Sequence, residues 1–297
     1  MKIKIVTAIY NNLYGSEYGG RLNRNEHYIF SMHSLMKMNN AHFVLYTSPE
    51  ECNELREEFK NYPDLEIISH SLTDSPFQSL IQKYKNYEES KSSDRCVEIQ
   101  YLKLHWLYQQ SKDCDYVYWF DAGLSHVALI PDKWLECRGE RWLLPDYYYS
   151  DFFTNTFINN LTEISKDKIF LIIKDNLING WSQEPLQMFN EPYDYKWHVI
   201  GGAFGGKSSL IENFYNMYYD YSTRIADNYK EMWYEENILT VLYYNHEDLF
   251  TTKWFDIWTH ENNTKSEHIG GRDVDEYLTT NKPFYKLLEE IYYNDTI

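Results

Sequence analysis

Cysteine is scarce in this chain of 297 residues. There are four cysteines, and no two of them have the CxxC spacing that is typical of a zinc site. Their positions are Cys52, Cys96, Cys114 and Cys137. The spacing also indicates no disulfide framework, so free thiols in a reducing compartment fit this sequence best.

A long apolar run is also missing. A helix that crosses a bilayer needs about 20 consecutive apolar residues, and no such segment occurs. The apolar run that follows Lys2 is too short for a signal sequence with its cleavage site. We therefore expect no membrane span and a cytoplasmic location, which could be the cytoplasm of an infected host cell.

Basic residues are in deficit. The chain has 28 Lys and Arg against 45 Asp and Glu, which gives a formal net charge of −17. Such a surface repels phosphate backbones and anionic lipid, so nucleic acid is an unfavourable partner unless a local basic groove exists. The acidic excess suits a site that holds a divalent cation.

Aromatic residues, by contrast, are abundant at 18%, and 29 of them are tyrosines. Tyrosine and tryptophan combine a flat apolar face with a polar tip, which suits sugar rings and bases. An AT-rich coding sequence would produce the same excess, so composition alone does not identify a ligand. The hydrophobic fraction of 43% is enough for a sizeable core.

The first half alternates strand patterns with helical patterns. Predicted strands cover 2–10, 42–50, 65–70 and 116–121, and predicted helices cover 26–38, 50–59 and 96–111. This order favours an α/β fold with a parallel sheet and helices on both faces. Ligands of such sheets bind beyond the carboxyl ends of the strands. No repeat or linker is visible, so we expect one compact domain over 1–297.

The second half is less regular. The predicted features are an aromatic cleft wall at 142–153, a strand or short buried helix at 168–175, a strand, glycine turn and helix over 195–220, a helix at 234–245, a strand and loop at 248–261, and a closing helix at 281–293. Loops are expected at 11–26 and 86–94.

One carboxylate stands at the end of the fourth predicted strand. Asp121 follows the apolar run YVYWF, and Gly123 comes two places later. A carboxylate at a strand end can coordinate a hard cation that bridges two phosphates of a nucleotide. A turn or helix-capping aspartate is an equally good interpretation of this pattern.

A glycine-rich stretch at 201–209 fits the GxxxxGK[ST] pattern of a phosphate-binding loop through Gly201, Gly206, Lys207 and Ser208. Such a loop would make the chain an NTPase or kinase. The remaining sequence is short for that fold, and the strand ending in aspartate comes before the loop instead of after it. The competing interpretation is a glycine turn that lets a sugar lie close to the backbone.

Two adjacent acids open a predicted helix in the segment WYEEN. Glu235 and Glu236 follow Trp233 and Tyr234 directly. Acids in a first turn often only complement the helix dipole. Beside aromatic residues that stack on sugars, they also suit acid–base or nucleophilic work at an anomeric carbon. Further on, His260 is a candidate second metal ligand, although a single loop histidine is often incidental.

These features together resemble a glycosyltransferase of the GT-A type. The N-terminal half resembles the HtrL/YibB family, which has a similar VTA start, an Arg-rich loop before a helix, a Tyr-Thr strand end, a Lys-bearing helix and a W-[IVF]-D-x-G motif. The matching segments here are IVTAIYNN, RLNRNEHYIF, FVLYTSPE, YLKLHWLYQQ and YVYWFDAGLS. Separately, VIGGAFGG and MWYEENIL are similar to the GAFFGG and WHDES motifs of the blood-group A/B type transferases.

The resemblance implies a role for each matching residue. The first half, 1–125, would bind the nucleotide, and the second, 126–297, would bind the acceptor and carry catalysis. Donor contacts would come from Thr7, Ala8, Tyr10, Asp121, Gly123, Gly201, Gly202 and Ala203. Catalysis would use Glu236 and Glu235, while Trp197 and Trp233 would contact the acceptor. Further acceptor stacking would involve Tyr147, Tyr148, Tyr149 and Trp181.

The metal site departs from the family pattern. Asp121 would be the surviving acid of a DxD motif that holds Mn²⁺ or Mg²⁺ on the donor diphosphate, with His260 as a late ligand. Gly123 occupies the position of the second acid. Positive charge could come instead from Arg21, Arg24 or Lys103.

The resulting prediction is an enzyme that moves a sugar from a nucleotide-diphosphate donor to an acceptor hydroxyl, on a glycan such as lipopolysaccharide, capsule or surface glycan. Three alternatives stay open: an NTPase or kinase that uses Gly201–Ser208, an inactive carbohydrate-binding protein, and a sugar transferase that acts on modified phage DNA bases.

Overall fold

A computed structural model describes residues 1–10, 24–84, 94–124, 153–175, 197–254 and 291. The strands are β1 (Ile3–Ile9), β2 (Ala41–Thr47), β3 (Leu65–Ser69), β4 (Tyr116–Phe120), β5 (Ile169–Asp175), β6 (Trp197–Lys207) and β7 (Phe250–Trp254). The helices are α1 (Arg24–Leu35), α2 (Cys52–Glu58), α3 (Gln78–Tyr84), α4 (Asp94–Gln110), α5 (Asn155–Ile164), α6 (Ser208–Tyr229) and α7 (Glu235–Asn245).

The described strands form one sheet in the order β3-β2-β1-β4-β6-β5-β7. Strands β1 to β4 are parallel, as the sequence predicts. Strand β6 runs antiparallel to both of its neighbours, and β7 is parallel to β5. The carboxyl ends of β1 to β4 therefore share one edge with the beginning of β6.

Both faces of the sheet are covered by helices. In β4, Val117 and Trp119 belong to the core cluster that contains α4, α6 and α7, whereas Tyr118 and Phe120 belong to the cluster that contains α1, α2 and α5. This alternation follows from the period of two along a strand. It explains why the central strands read as continuous apolar runs, which is typical of a sheet buried on both sides.

The predicted glycine turn in the 195–220 segment is wrong. Strand β6 continues through all of these glycines to Lys207, and α6 begins at the next residue. Gly205 has a φ of +141°, and a Cβ on it would lie 2.3 Å from the Val117 carbonyl oxygen. Glycine is required here because the neighbouring backbone comes too close for any side chain.

Strand β6 also bulges away from β5 near its start. Leu171 pairs with Phe204, but the next residue, Ile172, pairs with Ile200. Gly201, Gly202 and Ala203 thus have no partner on β5, although Ala203 pairs with Phe120 of β4. Bulges of this kind reorient the backbone and are common beside functional sites.

Other second-half predictions have mixed outcomes. The 168–175 segment is a strand, and the helix and late strand predicted after it are confirmed as α7 and β7. Helices α3 and α5 were not predicted. The 142–153 cleft wall and most of the 281–293 helix lie outside the described residues, apart from Phe153 and the helical Ile291. Among the helices that are described, none has the length and apolarity to cross a bilayer.

Candidate active site

Four elements meet at the carboxyl edge of the sheet. Helix α4 contributes Lys103, the end of β4 contributes Asp121, the bulged part of β6 contributes Gly201, and the first turn of α7 contributes Glu235 and Glu236. The backbone N–H of Asp121 donates to the Gly202 carbonyl at 2.8 Å, which fixes the carboxylate beside β6. The predicted acids of the two halves are thereby brought together.

Lys103 is the centre of this group. Its side chain is only 9% exposed, and its ammonium lies 2.7 Å from Glu235 Oε1, 3.0 Å from Asp121 Oδ1 and 3.1 Å from the Gly201 carbonyl oxygen. An ammonium has three N–H donors, and three acceptors surround this one. In this arrangement Lys103 therefore has no donor left for a diphosphate, and it holds the two acids together instead.

Asp121 is the most open of the acids. Its side chain is 43% exposed, and its Oδ1 accepts a 2.7 Å hydrogen bond from Trp119 Nε1 in addition to the contact with Lys103. Its Oδ2 faces Gly202, since a Cβ placed on that glycine would lie 3.8 Å away. One oxygen is thus held by the protein, and the other lies beside a residue without a side chain.

Glu235 is buried, with 4% of its surface exposed. Its pKa is raised to about 7, mainly by burial and in addition by Glu236 and Asp121, against the opposing effect of Lys103. Burial works to lower the pKa of Lys103, but the attraction of Asp121 and Glu235 outweighs it and keeps the pKa above its ordinary value. Glu235 Oε2 is buried without a hydrogen-bond partner in the described part of the chain.

The space for Glu235 depends on Gly201. A Cβ at this position would lie 2.5 Å from Glu235 Oε1, well inside van der Waals contact. The absence of a side chain at Gly201 therefore leaves room for the Glu235 carboxylate in its contact with Lys103. Glu235 is thus buried behind the sheet edge, and its predicted catalytic role stays a prediction.

Glu236 is the more accessible glutamate, with a side chain that is 32% exposed. Its Oε1 accepts a 2.9 Å hydrogen bond from the Gly201 N–H, and its Oε2 lies 3.4 Å from His198 Nε2. Both contacts come from β6. The carboxylate is therefore fixed at the same edge as Asp121 while part of its surface stays open.

The first-strand residues are mostly buried. Thr7 has no exposed surface, and Ala8 is half-buried. Tyr10 stacks against Trp106 with ring centroids 6.0 Å apart and donates a 2.9 Å hydrogen bond to the His70 carbonyl oxygen. Burial raises the pKa of Tyr10 well above its ordinary value. In this arrangement these residues belong largely to the core, and their contact with a nucleotide stays a prediction.

The remaining predicted ligand contacts have varied placements. Trp233 is buried against Tyr229 and donates to Glu231 Oε1 at 2.9 Å. Gly123 lies in the turn after β4, where the Leu124 N–H donates to the Asp121 carbonyl. Several residues lie outside the described ranges, namely Arg21, Tyr147, Tyr148, Tyr149, Trp181 and His260. Arg24 begins α1 and Trp197 begins β6, but their side chains are not among those described.

The phosphate-binding loop interpretation of 201–208 is wrong. A loop of that kind wraps a phosphate with free backbone N–H groups between a strand and a helix. Here Gly205 and Gly206 pair with β4 on one side and β5 on the other. Lys207 pairs with Tyr116 at the beginning of β4, so it lies at the edge opposite to Asp121.

Three residues of this site were missed at the sequence level. Trp119 donates to Asp121, and His198 and Thr240 lie behind Glu236. The spacing of Glu236 and Thr240 places them one helical turn apart, which is a usable signal. Nothing in the local sequence distinguishes His198 from any other residue of a strand.

Comparisons with known proteins bear on the fold. No protein-family model matches the chain, and no curated protein sequence matches it. The structure is similar to mouse xyloside xylosyltransferase 1 in its apo form, with a TM-score of 0.54 and 12% identity over 91% of this chain and 92% of that one. It is also similar to 4-diphosphocytidyl-2C-methyl-D-erythritol synthase from Anaerococcus prevotii, with a TM-score of 0.43 and 9% identity over 91% and 96%. The chain thus has a GT-A-like α/β fold, with a mixed and mainly parallel sheet flanked by helices.

Proposed function

We propose that this protein is a glycosyltransferase that moves a sugar from a nucleotide-diphosphate donor to a hydroxyl of a glycan acceptor. One observation carries the proposal: Asp121 and Glu236, from distant parts of the sequence, lie at the same carboxyl edge of a GT-A-like sheet. Ligands of open α/β sheets bind beyond this edge. The exposed parts of both carboxylates are therefore available to one bound donor.

The donor diphosphate would lie next to Asp121. Its Oδ2 could hold Mn²⁺ or Mg²⁺, which supplies charge that stabilises the leaving diphosphate. The described residues contain no group of three metal-ligating side chains. A cation on Asp121 would take its other ligands from phosphates, water and His260, which lies outside the described residues. Magnesium commonly binds in this way, through one or two carboxylates and substrate phosphates.

Glu236 would lie at the reacting carbon. The bond from the anomeric carbon to the diphosphate oxygen breaks, and its electron pair leaves with the nucleoside diphosphate. The acceptor oxygen forms the new bond and releases its proton. A fixed carboxylate can stabilise the cationic sugar from below while the acceptor proton passes to an oxygen of the leaving diphosphate, which gives retention. Alternatively, the carboxylate takes the acceptor proton itself, which gives inversion. Behind this edge, Glu235 contacts Lys103, and Lys103 in turn contacts Asp121 and keeps it in place.

A screen of nucleotide sugars tests the proposal. The purified protein is incubated with each donor, with and without Mn²⁺, and release of the nucleoside diphosphate is measured. We expect release from at least one donor, and a loss of at least about 10²-fold in Asp121→Asn and Glu236→Gln, since each removes charge from the transition state.

Matched controls are available at the opposite edge. Asp64 is exposed just before β3, and Glu247 is exposed just after α7. Asp64→Asn and Glu247→Gln change the same functional groups away from the site and should retain full activity. If no donor is turned over by the unmodified protein, or if Glu236→Gln retains full transfer, the proposed function is wrong.

A further inference from the structure

We propose that His198, held by Thr240, is a positioning residue that fixes the carboxylate of Glu236 through a shared proton. The proposal rests on the glycosyltransferase function proposed above, because it concerns the glutamate assigned to the reacting carbon. It adds two residues that the motifs of the sequence do not indicate, and only the spacing of Thr240 from Glu236 gives a signal for either of them.

The first part of the argument is the position of the imidazole. His198 is 2% exposed and lies on β6, three residues before Gly201. Its Nε2 lies 3.4 Å from Glu236 Oε2, while the Gly201 N–H lies 2.9 Å from Glu236 Oε1. One strand thus contacts both oxygens of the carboxylate, so the orientation of Glu236 depends on this imidazole as well as on the backbone.

The second part is the number of protons at Thr240. Its Oγ1 accepts a 3.0 Å hydrogen bond from the Val199 N–H and donates its single proton to the Glu236 carbonyl at 2.7 Å. His198 Nδ1 lies 3.2 Å from the same oxygen. Because the hydroxyl proton already has the nearer acceptor, Nδ1 must carry the hydrogen in this contact.

The third part follows at the other ring nitrogen. With a hydrogen on Nδ1, a neutral ring presents a lone pair at Nε2 to the Glu236 carboxylate, which also has only lone pairs. A favourable contact requires one more proton between Nε2 and Oε2. An imidazolium that donates to an ionised carboxylate provides it, and this charge-assisted hydrogen bond is stronger than a neutral one.

The charges around the pair are compatible with this state. Helix α7 places Glu235 beside Glu236, and Lys103 of α4 contacts Glu235.

Two substitutions of His198 separate the contacts. Glutamine places an amide N–H near the position of Nε2, whereas asparagine places one near Nδ1. We expect His198→Gln to retain transfer within a few-fold, because its amide N–H can still donate to the Glu236 carboxylate. We expect His198→Asn to lower kcat by about 10²-fold with little change in the KM for the donor, since Glu236 is then misplaced.

Thr240 provides a second, conservative pair of variants. Thr240→Val removes the hydroxyl at constant shape and should lower kcat by about tenfold, while Thr240→Ser restores the hydroxyl and the rate. A loss of kcat in His198→Gln as large as the loss in His198→Asn would overturn the proposal, and so would full activity in His198→Asn.

A measurement independent of activity completes the test. Nitrogen-15 NMR of labelled histidine, with His198→Gln used to assign the signal, reports which ring nitrogen carries hydrogen. We expect Nδ1 to carry hydrogen in the unmodified protein, and this preference to disappear in Thr240→Val. A neutral ring protonated on Nε2 would overturn the proposal even if transfer is found. If the expected tautomer is found but no sugar is transferred, the proposed glycosyltransferase function is wrong and the hydrogen-bond arrangement of His198 is right.

Discussion

Lys103 Nζ lies 2.7 Å from Glu235 Oε1, and both side chains are buried. The pair joins α4 to α7, although the two residues are 132 positions apart in the sequence. Because Lys103 also contacts Asp121, the pair ties the end of β4 to the start of α7. The relative positions of the acids at this edge therefore depend on one buried cation.

Replacement of Lys103 should destabilise the fold. In Lys103→Met, Glu235 stays buried without its partner, and loss of one member of a buried ion pair typically lowers the free energy of unfolding by about 3–5 kcal/mol. Urea denaturation above neutral pH measures this. The matched control is Lys83→Met, which removes an exposed ion pair with Asp227 and should have a much smaller effect. Equal losses in the two variants would contradict the assignment of Lys103.

The buried Glu235 should leave a signature in the pH dependence of stability. Burial raises its pKa from 4.5 to about 7, so between these values the native state binds a proton that the unfolded state releases. The contribution of Glu235 to the free energy of unfolding therefore decreases as the pH rises through this interval. The stability of Glu235→Gln relative to the unmodified protein should increase over the same interval and level off above it. Denaturation at a series of pH values checks this, and a difference that is independent of pH would refute it.

Two neighbouring glycines should respond differently to a methyl group. A Cβ at Gly201 would lie 2.5 Å from Glu235 Oε1, whereas the nearest atoms to a Cβ at Gly202 are 3.8 Å away. Gly201→Ala should lower the free energy of unfolding by about 1–3 kcal/mol and displace Glu235 from Lys103. Gly202→Ala should be close to neutral in stability. Thermal and urea denaturation of both variants provide the comparison, and similar costs would indicate that Glu235 adapts freely.

Lys207 should not matter for nucleotide binding. Its backbone lies at the end of β6 that is farther from Asp121, and its side chain is exposed. We expect Lys207→Met to leave donor turnover unchanged, and ATP to produce no larger thermal shift than a nucleoside diphosphate released from a sugar donor. A Lys207-dependent shift with ATP would revive the kinase interpretation that the strand pairing opposes.

The parallel half of the sheet could be predicted because its signals are local. The apolar runs around Val6, Val44 and Trp119 end in polar residues and alternate with helical patterns, so strand identity and direction follow from neighbouring residues. The location of Asp121 at a strand end follows from the same pattern. The opening of α7 by two acids is likewise visible in the sequence.

The rest depends on contacts between distant segments. The glycines of β6 read as a turn, because nothing near them in the sequence reveals the close approach of Val117 or Glu235. The sequence assigns Lys103 to the donor diphosphate, since its two acidic partners lie far along the chain in β4 and α7. Nothing in the sequence indicates a role for His198, because its contact with Glu236 forms only when β6 packs against the first turns of α7.

The fit of Gly201 against Glu235 has a consequence for evolution. If a related protein has alanine at position 201, this edge of the sheet can stay ordered only when the side chain at position 235 is shorter, for example aspartate. The lysine at position 103 must then either shift towards the shorter carboxylate or be replaced. These three positions should therefore change together among descendants of a common ancestor. Correlated substitution at 103, 201 and 235 would be a marker for recognising distant relatives whose overall sequences have diverged too far to align.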